Sequence, residues 1–293
     1  MGGDGHHAGD GFVVGLIGAG IGASLSPALH EREAARLGLR YRYELLDLDD
    51  PAHAGAGVGG LVRTAHRAGF DGLNITHPCK QAVLEHLDEV SPDAAALGAV
   101  NTVVFDDGRA VGHNTDTSGF AESFARGLPG AALDSVVLVG AGGAGAAVAH
   151  AVLTLGAGRL AILDEGPGRA RELARLLGRR FGAARVAAAD ADDLPAEVAA
   201  ADGLIHATPS GLAARPGTAV PRGLLRPGLW VADVVYRPLE TELLRDARAA
   251  GCRTLDGGGM AVLQAAEALH LFTGRTPDRE RMLRDLAAIP GAR

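Results

Sequence analysis

The stretch SVVLVGAGGAG at residues 135–145 decides the fold. Its apolar half predicts a buried strand, and the run after the glycines predicts a helix at residues 146–155. The loop between them matches the pattern G-x-G-x-x-G and contains Gly140, Gly142, Gly143 and Gly145. In this pattern the first glycine permits a tight turn, the second lets the backbone approach a pyrophosphate, and the third lets helix and strand pack closely. We therefore predict a Rossmann-like unit that binds a dinucleotide.

The rest of the chain alternates between strand-like and helix-like patterns. Downstream strands are predicted at residues 159–163, 203–207 and 229–235, with a helix at 169–177. This alternation is typical of a doubly wound parallel sheet. Upstream strands are predicted at residues 12–18, 41–46, 73–76, 100–105 and 110–113. Upstream helices are predicted at residues 79–87, from Ser91-Pro92, and from Ser26-Pro27 with Ser26 as the N-cap.

These elements predict an α/β chain of two domains, as a length of 293 residues suggests. The first is an α/β substrate domain with a mixed sheet at residues 12–118. The second is the Rossmann domain at residues 119–259, which opens with a linking helix at 119–128. Helices at 260–272 and 279–287, within residues 260–293, return to the first domain. The first eleven residues lack an apolar signal core, so we predict a flexible leader.

The charge and the cysteines exclude several classes of protein. A net charge of −7 without an Arg-rich run argues against nucleic acid or an anionic membrane as a partner. Cys79 and Cys252 have neither paired spacing nor a His cluster, so we predict no disulfide, no metal site and a reducing cytoplasm. The longest stretch without a charge or His, residues 135–149, is too short to span a bilayer.

Lys80 is the only lysine, whereas arginine occurs 27 times. Arginine replaces lysine where only surface charge matters, but a guanidinium does not give up its proton. A sole surviving lysine is therefore a candidate for chemistry, and a chance survivor on a helix surface is the alternative. The three asparagines and Lys80 all lie in predicted strand-end motifs of the first half: Asn74, Asn101 and Asn114.

The chain closely resembles the shikimate dehydrogenases and their quinate/shikimate relatives from about residue 13 to residue 274. The motifs that carry the resemblance are Ser24-Leu25-Ser26-Pro27, residues 74–80 (NITHPCK), 98–102 (GAVNT), 112–116 (GHNTD) and 236–241 (YRPLET). The resemblance implies that Lys80 and Asp116 are the catalytic pair. It implies substrate contacts to the carboxylate from Ser24 and Ser26, with Tyr236 nearby, and contacts to ring hydroxyls from Thr76, Asn101 and Gln264.

Each of these residues has a simpler alternative. Ser26 is then only an N-cap, Thr76 only a turn residue, and Gln264 only a polar residue on a helix. We expect Lys80 to remove the hydroxyl proton as hydride leaves the same carbon, and Asp116 to orient the amine.

The cofactor side has its own predicted residues. Asp164 ends the strand after the glycine helix, where an acid binds the adenosine ribose, and Glu165 follows it. Two acids there would repel a 2′-phosphate, which favours NAD over NADP, although Arg169 partly offsets this, and the alternative is a solvated loop. The NADP-binding segment of the family reads Asn-Arg-Thr-x-x-Arg-Ala. At the corresponding residues 164–170 this chain keeps only the final Arg-Ala. The resemblance also places Thr208 and Gly257 against the cofactor.

Three departures from the family pattern and three competing functions complete the hypothesis. His77 favours the quinate/shikimate branch by resemblance. Ala23 stands where the family usually has His, and His206 where it usually has Asn, and the sequence gives no physical reason for either change. A short-chain dehydrogenase is excluded, because Thr76 stands where that class requires Tyr four residues before Lys. A dehydrogenase of an amino-substituted ring acid and a non-catalytic NAD-binding regulator remain alternatives. We expect a small-molecule substrate and a monomer or homodimer.

Overall fold

The computed structural model of the chain describes residues 11–213, 215–286 and 288–289. Apart from Gly11, the predicted leader lies outside the described residues. So do Ala287 and residues 290–293 at the end of the predicted C-terminal helices.

The first sheet is mixed, as predicted. Its strands are β1 (Phe12–Gly18), β2 (Tyr41–Asp47), β3 (Gly72–Ile75), β4 (Glu89–Val90), β5 (Thr102–Asp106) and β6 (Arg109–His113). Their order is β2-β1-β3-β5-β6-β4. Strand β1 pairs in parallel with β2 and β3, whereas β3 and β5 are antiparallel. The predicted hairpin joins β5 to β6, and its tip places Asp107 at a φ of 47°.

Four helices follow the strands of this sheet in the described chain. They are α1 (Ser26–Arg36), α2 (Gly57–Arg67), α3 (Cys79–Ala82) and α4 (Pro92–Leu97). The helix predicted from Ser91-Pro92 is confirmed, and Ser91 is its N-cap, since its side chain accepts from the backbone N–H of Ala94. The N-cap prediction for Ser26 is wrong. Leu25 already has a helical backbone and Ser26 is the first residue of α1, so Ser26 lacks the extended conformation of an N-cap.

The predicted helix at residues 79–87 is also wrong in length. Helix α3 ends at Ala82, and Val83–His86 continue as a tighter 3-10 turn. Such tightening is common at helix ends, and here it still buries Cys79 and Val83 on one side.

The second sheet is entirely parallel, which confirms the doubly wound prediction. Its strands are β7 (Ser135–Val139), β8 (Arg159–Leu163), β9 (Val186–Ala188), β10 (Gly203–His206), β11 (Trp230–Asp233) and β12 (Arg253–Leu255). Their order is β12-β11-β10-β7-β8-β9. The helices around it are α5 (Asp116–Gly127), α6 (Gly143–Thr154), α7 (Pro167–Phe181), α8 (Leu194–Ala200) and α9 (Glu242–Ala249). Strand β7 is apolar on both faces because apolar clusters cover both sides of the sheet.

The last helices pack on the first sheet and its helices. They are α10 (Gly258–Thr273) and α11 (Arg279–Leu286). Phe272 of α10 packs with Val14 and Tyr43, and Leu286 of α11 packs with Leu29 of α1. No helix in the described part of the chain is long and apolar enough to cross a membrane. The exact domain boundaries stay a prediction.

Candidate active site

Lys80 and Asp116 form a close ion pair between the two sheets. Lys80 lies in α3, directly after the loop that follows β3, and Asp116 is the first residue of α5. The Lys80 Nζ donates to Asp116 Oδ2 at 2.5 Å, and the two side chains are only 15% and 7% exposed. Lys80 is therefore not a solvated surface lysine. The two residues that the sequence singles out as a catalytic pair lie in contact.

Asn101 fixes the other oxygen of this carboxylate. Its Nδ2 donates to Asp116 Oδ1 at 2.9 Å and also to Thr115 Oγ1 at 2.9 Å. The Asn101 Oδ1 in turn accepts from the backbone N–H of Thr115 at 2.8 Å and from the Thr102 hydroxyl at 2.9 Å. The amide group thus joins the end of β6 to the start of β5 and holds Asp116 in one orientation.

Gln264 reaches this cluster from the C-terminal helix α10. The Thr115 hydroxyl donates to Gln264 Oε1 at 3.5 Å. The approach depends on Gly119 of α5, since a Cβ there would lie 2.8 Å from the Gln264 backbone nitrogen. A glycine at the helix crossing therefore lets Gln264 reach Thr115, which adjoins Asp116 in the sequence, and the contact of Gln264 to a ring hydroxyl stays a prediction.

A second cluster of hydroxyl groups contains Ser24, Ser26 and Tyr236. Ser24 Oγ accepts from the backbone N–H of Ser26 at 3.2 Å. Burial raises the pKa of Tyr236, against the effect of a hydrogen bond with Ser24, and the charge of Asp116 raises it further. Tyr236 is therefore close to Ser24 and within the electrostatic reach of the Asp116 carboxylate. The Arg237 guanidinium beside it donates to the carbonyl of Ala23.

Tyr43 and Asn74 link the two clusters, and sequence reasoning assigned neither of them to the site. The Tyr43 hydroxyl donates to Asn74 Oδ1 at 2.8 Å, and Asn74 Nδ2 donates to Thr102 Oγ1 at 3.2 Å. Burial raises the pKa of Tyr43, and a hydrogen bond with Ser26 opposes that rise. Two signals were present in the sequence: the chain has only three tyrosines, and Asn74 is one of three asparagines.

Thr76 follows β3 and is half-buried at the edge of this group. Its methyl carbon packs against Gly18, where a Cβ would lie only 2.4 Å away. Its contact to a ring hydroxyl stays a prediction.

The glycine loop has the geometry that a dinucleotide needs. Gly140 has a φ of 111°, and a Cβ there would lie 2.6 Å from the carbonyl oxygen of Ala207. A Cβ on Gly145 would lie 2.0 Å from the Gly140 carbonyl oxygen, whereas nothing lies within 4 Å of one on Gly142. The first and third glycines therefore serve the turn and the packing, and the second leaves open space at the N-terminus of α6, where backbone N–H groups attract an anion.

The same loop touches the catalytic lysine. A Cβ on Gly143 would lie 3.0 Å from Cδ and 3.3 Å from Cβ of Lys80. The first turn of α6 therefore packs on the aliphatic part of Lys80, which places the predicted cofactor site beside the predicted base.

Asp164 lies directly after β8, as predicted, but its carboxylate already has partners. Its oxygens accept from the backbone N–H of Ala141 and of Gly166, both at 2.7 Å, and from the Arg169 guanidinium at 2.7 and 2.9 Å. Burial would raise the pKa of Asp164, but these hydrogen bonds outweigh burial and lower it. Asp164 is therefore ionised and paired with Arg169, which is 63% exposed, while Glu165 is exposed to solvent.

Thr208 and Gly257 follow strands β10 and β12, which lie on either side of β11. Thr208 follows β10, and its backbone nitrogen would lie 3.0 Å from a Cβ on Gly140. Gly257 precedes α10, and a Cβ there would lie 2.3 Å from the carbonyl oxygen of Val234. Both predicted cofactor residues thus lie at the carboxyl edge of the parallel sheet, where open α/β sheets bind ligands.

Family models match both ends of this chain. The model described as the shikimate dehydrogenase substrate binding domain matches residues 16–103. The model described as the shikimate 5'-dehydrogenase C-terminal domain matches residues 257–286. The matched segments carry Ser24, Ser26, Lys80, Asn101 and Gln264.

Whole-chain relatives cover nearly all of the sequence. The chain is 66% identical over 282 residues to the shikimate dehydrogenase (NADP(+)) of Streptomyces avermitilis, which is 96% of this chain and 97% of that protein. It is 50% identical to the quinate/shikimate dehydrogenase (NAD(+)) of Corynebacterium efficiens, over 93% of this chain and 96% of that protein. The quinate dehydrogenase of Corynebacterium glutamicum, solved in complex with NAD, superposes with a TM-score of 0.90 at 48% identity, over 96% of this chain and all of that one. The chain therefore belongs to the shikimate dehydrogenase family of oxidoreductases.

Proposed function

We propose that this enzyme oxidises a ring hydroxyl of shikimate, quinate or both to the 3-dehydro ketone with NAD. The observation that carries the proposal is the buried contact of 2.5 Å between Lys80 and Asp116, packed against the glycine loop. An amine, a carboxylate and a dinucleotide loop at one place are the groups that an alcohol dehydrogenation requires. The relatives whose names contain shikimate and quinate support the choice of substrate.

Lys80 acts as the general base in this direction and as the general acid in reverse. When bound, the nicotinamide supplies the hydride acceptor for the substrate carbon. Lys80 first releases one proton from its ion pair with Asp116, and its amine then takes the hydroxyl proton, so that the carbon–oxygen bond becomes a carbonyl as hydride leaves the carbon. Asp116 holds one N–H of Lys80, which restricts the amine to one orientation and leaves its lone pair for the proton. Asn101 fixes Asp116 through its second oxygen.

The two polar clusters divide the substrate between them. Ser24, Ser26 and Tyr236 offer hydroxyl groups, which can donate hydrogen bonds to the carboxylate of the substrate. Asn101, Thr76 and Gln264 offer amide and hydroxyl groups to the ring hydroxyls, since these groups both donate and accept. The hydrogen-bond path through Tyr43 and Asn74 fixes the distance between the two clusters.

NAD is the proposed cofactor in preference to NADP. Asp164 and Glu165 lie at the end of β8, where a second phosphate would meet two carboxylates. The Asp164 carboxylate is ionised and can accept a ribose hydroxyl when Arg169 moves away. The NAD named for the relatives from Corynebacterium supports this choice, whereas NADP is named for the relative from Streptomyces avermitilis.

Initial rates at 340 nm test the proposal directly, with shikimate and quinate each crossed with NAD and NADP. We expect turnover with NAD and at least one acid, and the ratio of kcat/KM then identifies the preferred acid. A preference for NADP would overturn the cofactor proposal only. No turnover in any combination, with NAD still bound, would overturn the substrate proposal in favour of an amino-substituted acid or a regulator.

A further inference from the structure

A buried chain of hydrogen bonds ends at Thr208, next to the glycine loop. Asp233 Oδ1 lies 2.9 Å from His206 Nδ1, and His206 Nε2 lies 2.5 Å from Thr208 Oγ1. His206 and Asp233 are each 1% exposed at the side chain. The other oxygen of Asp233 accepts from the Thr241 hydroxyl at 2.7 Å. Neither His206 nor Asp233 has a part in the proton transfer proposed above.

The partners of His206 determine the orientation of the Thr208 hydroxyl. Asp233 Oδ1 also accepts from the backbone N–H of Val235 at 3.0 Å, so this oxygen faces His206 as an acceptor and the ring proton of the imidazole tautomer lies on Nδ1. His206 Nε2 is then an acceptor, and the Thr208 hydroxyl donates its only proton to it. The backbone N–H of Ser210 donates to Thr208 Oγ1 at 3.2 Å, which leaves one lone pair of this oxygen.

The position of Thr208 places that lone pair near the predicted cofactor site. Thr208 is half-buried, and the peptide that joins it to Ala207 packs on Gly140, the first glycine of the dinucleotide loop. His206 and Asp233 end the adjacent strands β10 and β11 at the edge where the cofactor is expected. The side chain of Thr208 is therefore held beside the dinucleotide site by residues beneath it.

We propose that His206 and Asp233 are positioning residues that make the Thr208 hydroxyl a fixed acceptor for the cofactor. The group that it accepts from is an N–H or O–H donor of the dinucleotide: the carboxamide amine of the nicotinamide or a ribose hydroxyl. His206 acts through Thr208 and does not touch the cofactor itself. This inference rests on the proposed function only in requiring that the chain binds a nicotinamide dinucleotide.

Cofactor binding without substrate tests the inference separately from turnover. His206→Asn keeps an amide donor near Asp233 but is too short to reach Thr208, and Thr208→Val removes the hydroxyl at nearly constant shape. We expect each variant to raise the dissociation constant of NADH, measured by its fluorescence, about 5- to 10-fold, as one hydrogen bond predicts. If His206 acts through Thr208, the double variant binds no more weakly than either single variant.

His150 and Thr154 supply the matched control. They are also a buried His and a Thr, 3.5 Å apart, but lie at the end of α6 away from the glycine loop. His150→Asn is expected to bind NADH like the wild type. Unchanged binding in Thr208→Val would overturn the inference even if His206→Asn fails to fold. Multiplied losses in the double variant would overturn it when both single variants fold. Wild-type binding of NADH with no turnover of either acid would instead count against the proposed substrate alone.

Discussion

Gly143→Ala tests whether the glycine loop and the catalytic lysine are held together during turnover. The added methyl group would lie 3.0 Å from Cδ, 3.3 Å from Cβ and 3.6 Å from Cγ of Lys80. Carbon atoms pack at about 3.5 Å or more, so Cδ must move by about 0.5 Å. The Lys80 stem is flexible, but its amine is held on Asp116 at 2.5 Å. The clash is therefore relieved by a shift of the Lys80 amine or by a wider spacing of the two domains.

The size of the effect follows from that displacement. A misplacement of about 1 Å in a reacting group costs on the order of 100-fold in rate, so about 0.5 Å predicts a loss on the order of 10-fold in kcat. The folded state should be little affected, because alanine suits a helix better than glycine does. The backbone of Gly143 is helical as the first residue of α6, so an alanine there is not strained.

Steady-state kinetics with two further glycine variants separates this effect from a general one. Gly142→Ala places its methyl group in open space where the pyrophosphate is expected, so it should raise the KM for the cofactor. Gly223→Ala also enters open space, but far from the glycine loop in sequence, in the 3-10 turn Arg222–Leu224, and should change neither constant. A wild-type kcat in Gly143→Ala would refute the close contact between the loop and Lys80 in the working enzyme.

Three further variants test other parts of the site and the fold. Lys80→Ala should lower kcat by about 100- to 10,000-fold and leave the dissociation constant of NADH nearly unchanged, and turnover like the wild type would rule out Lys80 as the base. Burial lowers the pKa of His30 to about 3 from 6.5, so between these pH values only the unfolded chain binds the proton. The free energy of unfolding should fall by about 1.4 kcal/mol per pH unit below 6.5 from this group, and urea titrations of His30→Gln should show a smaller slope. Arg169→Ala frees Asp164 from its guanidinium partner and should raise the ratio of kcat/KM for NAD to that for NADP; a lower ratio would contradict the assignment of Asp164 to the ribose.

The sequence predicted those features that depend on local pattern. Strand β8 and strand β1 have the predicted bounds, because short apolar runs between glycines leave one choice of element. The glycine loop was also predicted in detail, because each of its glycines lies where a side chain would clash or would fill a needed space. Lys80 was singled out because it is the only lysine in the chain, whereas Asp116 was assigned through the family resemblance, and the catalytic role of the pair stays a prediction.

The features that the sequence did not predict depend on tertiary contacts. Tyr43 and Asn74 are 31 residues apart in the sequence and form a hydrogen bond, and no local pattern predicts such a pair. Ser26 has the residue type and the following proline of an N-cap, yet Leu25 before it already has a helical backbone and takes the cap position. His206 departs from the family pattern without a visible reason in the sequence. In the structure its ring contacts Asp233, which is 27 residues away.

The number of acidic residues in the sequence after β8 does not by itself decide between NAD and NADP. Asp164 and Glu165 read as two free acids, which would repel a 2′-phosphate. In the structure Asp164 is neutralised by Arg169, so the net charge at the end of β8 is smaller than the sequence suggests. Arg169 is exposed and its guanidinium is paired with Asp164, and a guanidinium also binds phosphate well. The choice between NAD and NADP therefore depends on whether Arg169 leaves Asp164 for solvent or for a phosphate, and Arg169→Ala addresses that single step.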